Sequence, residues 1–333
     1  MVIGRTLLLV LTVMLVVGDS YLTPGTAYAG ETWRGYHYSP VTSTPTIAGF
    51  LKIAEAVEKE TNGELKIQVH TGGSLPIDTT NMTQAVGDGL VQIAGDGFYL
   101  GIVTIGGILR LPMLLTNEEE YAKASKIVLP YLERAFEKQD CLVLGEYQYP
   151  LQVAWSTKKL TSLAELAGQK MRVTSPEQAE FVKRFGGIPV TIGAPEVPSA
   201  LERKVVDGVF TASAGGGRIW GDLLKYNYRF GPNYFSSVFI VNKKAFLKLP
   251  PAHQAKLREI VARIAPTITE QMRKDEAEVT EQLRKKGMIV TEAKPGDYET
   301  AAKKMGDFWE KWAKSHSAEH LEALSRVRKA VGK

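Results

Sequence analysis

The stretch from Ser236 to Gly287 constrains the fold most. "YFSSVFIVNKKAFLKL" reads as a long apolar strand, and "PPAHQAKLREIVARIAPTITEQMRKDEAEVTEQLRKKG" follows it as a helix. A strand running on into a helix of that length suits a chain that crosses between two lobes. Each lobe is then built from two separate pieces of sequence. Ligands in such proteins sit in the crevice between lobes, at the carboxyl ends of strands.

The rest of the chain fits that outline. Strands and helices alternate up to Ser236, which argues for parallel sheets covered by helices. "TWRGYHY" predicts a first strand. "TPTIAGFLKIAEAVEKETNG" carries Ile47, Phe50, Ile53 and Val57 at helical spacing and closes on Asn62-Gly63. "ELKIQVH" and "VQIAGDG" predict strands on either side of the short helix "NMTQAVGDG". "NEEEYAKASKIVLPYLERAFEKQ" predicts an amphipathic helix leading into the strand "CLVLGEY". The second half repeats the grammar: a short helix "SLAELAG", the strand "KMRVT", a helix from Pro176 to the paired glycines 186 and 187, the strand "IPVTIG", a helix in "APEVPSALERKVVDG" and the strand "VFTAS". Beyond the long helix, "MIVTEA" predicts a last strand, and "GDYETAAKKMGDFWEKWAKSH" and "AEHLEALSRVRKAV" predict helices.

The N-terminal end reads differently. Arg5, the apolar run "TLLLVLTVMLVV" and the A-x-A site in "AYAG" predict a secretory signal over residues 1–29. The apolar run is too short to span a bilayer. Residues 30 onwards are therefore expected outside the cytoplasm, and their length favours two domains at roughly 150 residues each. The net charge of +5 is spread along the chain. It gives a mild bias towards anionic partners and little support for nucleic acid. The single Cys141 lies in the apolar "CLVLG" and predicts a core residue, since it has no second cysteine to pair with.

Motifs for catalysis are weak. "GDGFYLG" is one residue off a dinucleotide fingerprint and follows a third strand, so a turn is the better reading. "AGGG" at 214–217 lacks the Lys-Ser/Thr of a phosphate loop and predicts flexible backbone or close ligand approach. There is no G-x-S-x-G and no H-E-x-x-H, and the five histidines are dispersed. His316 and His320 share a helix face, read as solvated and not as a metal pair. No metal or cofactor is expected.

One residue asks for a partner. In "GQKMRVTS" Arg172 stands between Met171 and Val173 of a short apolar strand. An ionised guanidinium is costly to bury alone, so either another part of the protein or a ligand pairs with it.

Around that strand the chain resembles the extracytoplasmic solute-binding proteins of TRAP transporters, the dicarboxylate-type (DctP) family. The carrying residues are Leu163, Gly168, Lys170, Arg172 and Val173, followed by Glu196, Ala200, Leu201, Val206, Asp207 and Gly208. "EKETNGELKIQVH", "LPMLL" and "VNKKAFLKLPPAHQAKLREI" fit as well, so the similarity covers nearly all of the chain after residue 29. The resemblance implies an α/β, two-lobed periplasmic-binding-protein fold. Each lobe is a sheet flanked by helices, joined by hinge strands and a long lobe-spanning helix. With the crossings above it divides the chain into lobe I (30–150 plus 239–279) and lobe II (151–238 plus 280–333). It also implies a monomeric periplasmic receptor, not an enzyme, that hands a small organic acid to TRAP membrane permease subunits.

In the family, the arginine at the position of Arg172 forms a two-pronged salt bridge with the ligand's carboxylate. A planar fork of parallel N–H donors suits that task, and lysine does not replace it. Two departures stand out. Thr211 falls where many members carry an Asn that helps hold the carboxylate, and Gln152 falls where sialic-acid binders carry a second arginine. The first argues against the usual sialic or C4-dicarboxylic ligands, and the lost charge at Gln152 argues for a ligand with one carboxylate, or with a neutral far end. Tyr36, His37, Tyr147, Trp155, Phe210, Ser213, Trp220 and Phe235 are the further expected pocket residues. Aromatic faces with a few hydroxyls suit an apolar or aromatic, hydroxy or keto acid. An extracytoplasmic enzyme acting on such an acid, and a sensor subunit passing it to a membrane kinase, are the rival readings.

Overall fold

The computed structural model describes residues 30–333, and the expected signal over 1–29 lies outside the described residues. Two sheets organise the chain. The first takes the order β2-β1-β3-β10-β4, from Leu65–Thr71, Glu31–His37, Ile93–Asp96, Phe235–Asn242 and Cys141–Tyr149. The second takes the order β11-β9-β5-β8-β6-β7, from Ile289–Thr291, Tyr226–Tyr228, Val153–Ser156, Gly208–Thr211, Lys170–Val173 and Ile188–Thr191.

Both sheets are mixed, where alternation alone predicts parallel ones. β1 runs parallel to β2 and β3, but β10 enters antiparallel between β3 and β4. In the second sheet β6 is parallel to β7 and β8, whereas β5 is antiparallel to β8 and β9. The reversed strands are those that bring the chain across from the other sheet, β4 handing over to β5 and β9 to β10. Neither β5 nor β9 carries a periodic signal long enough to predict it.

Helices cover the sheets with the faces their spacing dictates. In Pro45–Glu60, Ile47, Phe50, Ile53 and Val57 are fully buried against the first sheet. Pro45 opens that helix, where a missing N–H costs nothing. β10 stops at Asn242, earlier than its apolar run suggests. The Asn242 carbonyl oxygen of the side chain accepts from the Ala245 N–H at 2.8 Å and caps a helix, Lys243–Lys248. The next helix, Pro251–Lys285, lies against β4 and Pro45–Glu60 on the first side and against the turn Ser213–Gly217 on the second.

The C-terminal segment departs from the division expected above. Ala301 and Met305 of the helix Pro295–Met305 fill the second core. Trp312 and Ala313, then Ala323, Leu324 and Val327 of the last helix, Ala318–Val331, lie in the core of the first sheet. The chain therefore returns to the first lobe after residue 305, because these apolar faces match the helix Glu118–Glu137 and not the second sheet. Gly306 breaks the expected helix 296–316 in two, ahead of Phe308–His316.

Candidate functional site

Residues at the carboxyl ends of β1, β3, β6 and β8 line one narrow cavity between the sheets, with a volume of about 40 Å³. Small-molecule sites run from about 300 to 1,000 Å³, so the two walls stand nearly closed on each other here. The first sheet contributes Tyr38, Ser39, Phe98, Tyr149 and Phe235, and Thr44 joins them from the start of the helix Pro45–Glu60. The second contributes Arg172, Thr174, Ala194 and Thr211, with Gly215, Gly216, Ile219 and Trp220 beyond β8. Gln152 lies at the crossing from β4 to β5, and Met272 of the long helix completes the wall.

Arg172 is placed by strand alternation. Met171 and Val173 fill the second core, so Arg172 faces the other side of the sheet. It is 3% exposed. Its Nε donates to the Ile192 carbonyl at 3.1 Å; the Glu196 charge acts on it through space, but no carboxylate among the described residues is in ion-pair contact with it. The Phe98 and Trp220 rings stand 5.7 and 5.3 Å from the guanidinium carbon. Burial pulls its pKa down to about 10, so it keeps its charge at neutral pH. Arg172 is the one charged side chain among the described residues that line the cavity. A buried cation facing such a space is a place for an anion.

The glycine-rich segment is a tight turn, Ser213–Gly217, tied to the long helix. The Ala214 N–H donates to Glu276 Oε2 at 2.9 Å, and Arg229 bridges Glu276 and the Ser213 hydroxyl, each at 2.8 Å. Ser213 also meets the Thr280 hydroxyl at 2.6 Å. Thr211 Oγ1 accepts from the Gly216 N–H at 2.9 Å. A Cβ on Gly216 would stand 2.2 Å from the Trp220 ring and 2.6 Å from Thr211 Oγ1. Neither contact is tolerable, so Gly216→Ala is expected to push Trp220 from the wall and cost about 1–3 kcal/mol. Urea unfolding checks the cost, and Trp fluorescence the displacement.

Hydroxyls line the opposite wall. Tyr38 Oη donates to Tyr149 Oη at 2.7 Å and meets Ser237 Oγ at 3.0 Å. Behind them His37 Nε2 contacts Tyr147 Oη at 2.7 Å. Burial raises all three tyrosines well above their usual value and lowers His37 to about 3. The unfolded chain gains a proton at His37 near pH 6.5 that the folded one refuses, so this residue contributes stability above 6.5 that is lost as pH falls. Buried Asp96, raised to about 6, acts in the opposite sense between roughly pH 4 and 6. His37→Gln removes only the first effect. Its stability relative to the parent is expected to rise by about 1.4 kcal/mol per pH unit below 6.5, read from urea unfolding at pH 7.5 and 5.

Of the residues expected at a pocket, Arg172, Thr211, Gln152, Trp220 and Phe235 line this cavity. The others lie outside its lining. Tyr36 Oη accepts from the Gly73 N–H and donates to the Ile77 carbonyl. His37 and Tyr147 form the layer beneath Tyr38. Phe210 faces away from its neighbour Thr211 and meets Phe181 in the second core. Trp155 lies under the turn, its Nε1–H donated to the Thr211 carbonyl at 2.9 Å. Ser213 is taken up by Arg229 and Thr280. Phe98, Thr174, Ile219 and Met272 are lining residues that the sequence did not single out. Phe98 sits in "GDGFYLG" and Thr174 directly follows the arginine strand, two signals that were available.

A family model described as bacterial extracellular solute-binding protein, family 7 (DctP), matches residues 37–315. A solute-binding protein of Albidiferax ferrireducens is 22% identical over 291 residues, which is 82% of this chain and 83% of that protein. Among solved structures, DctP7 of Bordetella pertussis, an extracytoplasmic solute receptor binding pyroglutamic acid, superposes with a TM-score of 0.84 at 24% identity. The match covers 90% of this chain and all of that one. A TRAP periplasmic solute binding protein from Desulfovibrio salexigens with bound orotic acid gives 0.82 at 18% identity, over 90% of this chain and 98% of that one. These likenesses show the fold.

Proposed function

Because the chain belongs to family 7 of the bacterial extracellular solute-binding proteins, we propose that it is the periplasmic receptor of a TRAP-type transporter. In this reading it captures a small organic acid, most simply a monocarboxylate, and delivers it as a monomer to the membrane permease. The observation that carries the reading is Arg172: charged, buried, lining the cavity and without a carboxylate in ion-pair contact among the described residues, Glu196 acting on it only through space. A ligand carboxylate supplies the missing anion, held by two parallel N–H donors. The absence of a second charged group in the lining favours a neutral far end, for which the rings of Phe98, Trp220 and Phe235 provide contact. The pyroglutamic and orotic acids bound by two structural neighbours are acids of that kind.

The ligand shifts the protein between open and closed arrangements only by binding the closed one better. The lining comes from both sheets, so closure is where the extra contacts arise. A thermal-shift screen of small organic acids on protein refolded free of bound solute tests the proposal. A hit at one hundred times its Kd is expected to stabilise the fold by about 2.7 kcal/mol. A screen of mono- and dicarboxylates without a single shift would overturn it.

A further inference from the structure

Glu177 joins the two cores outside the lining of the cavity. It belongs to the helix Pro176–Arg184, whose Phe181 and Val182 fill the second core. Its side chain crosses to the first: Glu177 Oε1 accepts from Trp312 Nε1–H at 3.0 Å, and Trp312 lies in the first core. The fit is close. A Cβ on Gly107, in the short helix Thr104–Arg110, would stand 2.6 Å from Glu177 Oε1 and 2.5 Å from the Trp312 ring. Trp312 is itself held in place. Its ring packs on His316 at 4.5 Å and on His320 at 5.4 Å between centroids, and His320 Nε2 meets Thr104 Oγ1 at 3.1 Å. His320, read from the sequence as part of a solvated face, is 8% exposed and supports this ring.

Glu177 is 3% exposed, and its Oε2 is buried without a hydrogen-bond partner among the described residues. A carboxyl group half satisfied in this way is poorly explained by stability, since the second oxygen is dehydrated and unpaired. When the lobes part, both oxygens return to water. One bond made against one oxygen dehydrated is a nearly balanced exchange, which is what a joint with two positions needs. Thr174, three residues before Glu177, lines the cavity beside Arg172. We infer that Glu177 and Trp312 form a latch that closes as the lobes close and holds the arginine strand against the wall of the first lobe. Glu177 is then a positioning residue for Arg172 and touches no ligand. The purpose of closure comes from the receptor reading above, and the inference rests on that reading in this respect alone.

Small-angle X-ray scattering of the unliganded protein tests the latch. Glu177→Ala and Trp312→Phe are each expected to give a larger radius of gyration than the parent, with unchanged far-UV circular dichroism. Their combination is expected to add nothing further, because both remove the same bond. Glu177→Gln keeps an acceptor for Trp312 and is expected to match the parent. Pyroglutamate and orotate are the probe acids for calorimetry. Glu177→Ala is expected to weaken both by one common factor, roughly 3- to 10-fold, since a latch outside the cavity does not distinguish them. A parental radius in Glu177→Ala, a widened Glu177→Gln, or a loss confined to one of the two acids would overturn the latch. Failure of every acid to bind the parent would overturn the receptor reading, and the scattering comparison would still decide the latch.

Discussion

Arg172→Met is expected to abolish acid binding while leaving the unliganded protein at least as stable as its parent. Removing one partner of a buried charge pair costs about 2–5 kcal/mol of binding, or roughly 30- to several-thousand-fold in Kd. The unliganded state runs the other way. There the guanidinium is 3% exposed with one hydrogen bond to a carbonyl and only the through-space attraction of Glu196, and an apolar side chain of similar length relieves a charge that has no contact ion pair. A gain of about 1–2 kcal/mol in urea unfolding is the expected sign. Arg172→Lys separates charge from shape: it keeps the cation, loses the fork, and is expected to weaken binding by about tenfold or more. Unchanged calorimetric affinity in both variants would take Arg172 out of the site. A loss of several kcal/mol of unliganded stability would make it a structural residue.

Glu276→Ala is expected to lower stability by about 3 kcal/mol, the scale of breaking a buried ion pair. The carboxylate is 14% exposed and its partner Arg229 17%. Without it Arg229 keeps only Ser213, and the Ala214 N–H loses its acceptor. The turn carrying Gly215 and Gly216 would then be held to the long helix mainly through Ser213 and Thr280. Ligand affinity is expected to fall with it. Glu276→Gln, which retains one acceptor for Ala214, is expected to lose less than half as much. A change below about 0.5 kcal/mol in Glu276→Ala would show that the turn stands without this tie.

Much of this was readable from the chain, and what was not has physical reasons. Helices such as Pro45–Glu60 and Glu118–Glu137 declare themselves because their buried faces recur over several turns. β5 and β9 do not, since each is four residues or fewer and is stabilised by partners far along the sequence, as where Ala154 faces Tyr228. The end of β10 is decided by one cap at Asn242, a local contact that apolar continuity conceals. Arg172 was legible because a cation between Met171 and Val173 violates the pattern around it. The interest of Thr211 and Gln152 came from the family resemblance and not from their own chemistry. Phe210 shows the opposite failing. It is adjacent to Thr211 in a strand, and period-two alternation already places the two on opposite faces. Met272 has no local signal, because only the crossing of the long helix brings it to the cavity.

The return of residues 312–331 to the first core means that neither lobe is a continuous run of codons. Recombination with one breakpoint cannot exchange a whole half of this receptor. New ligand preferences must then arise by point changes in the cavity wall, and engineers grafting a lobe would need four junctions.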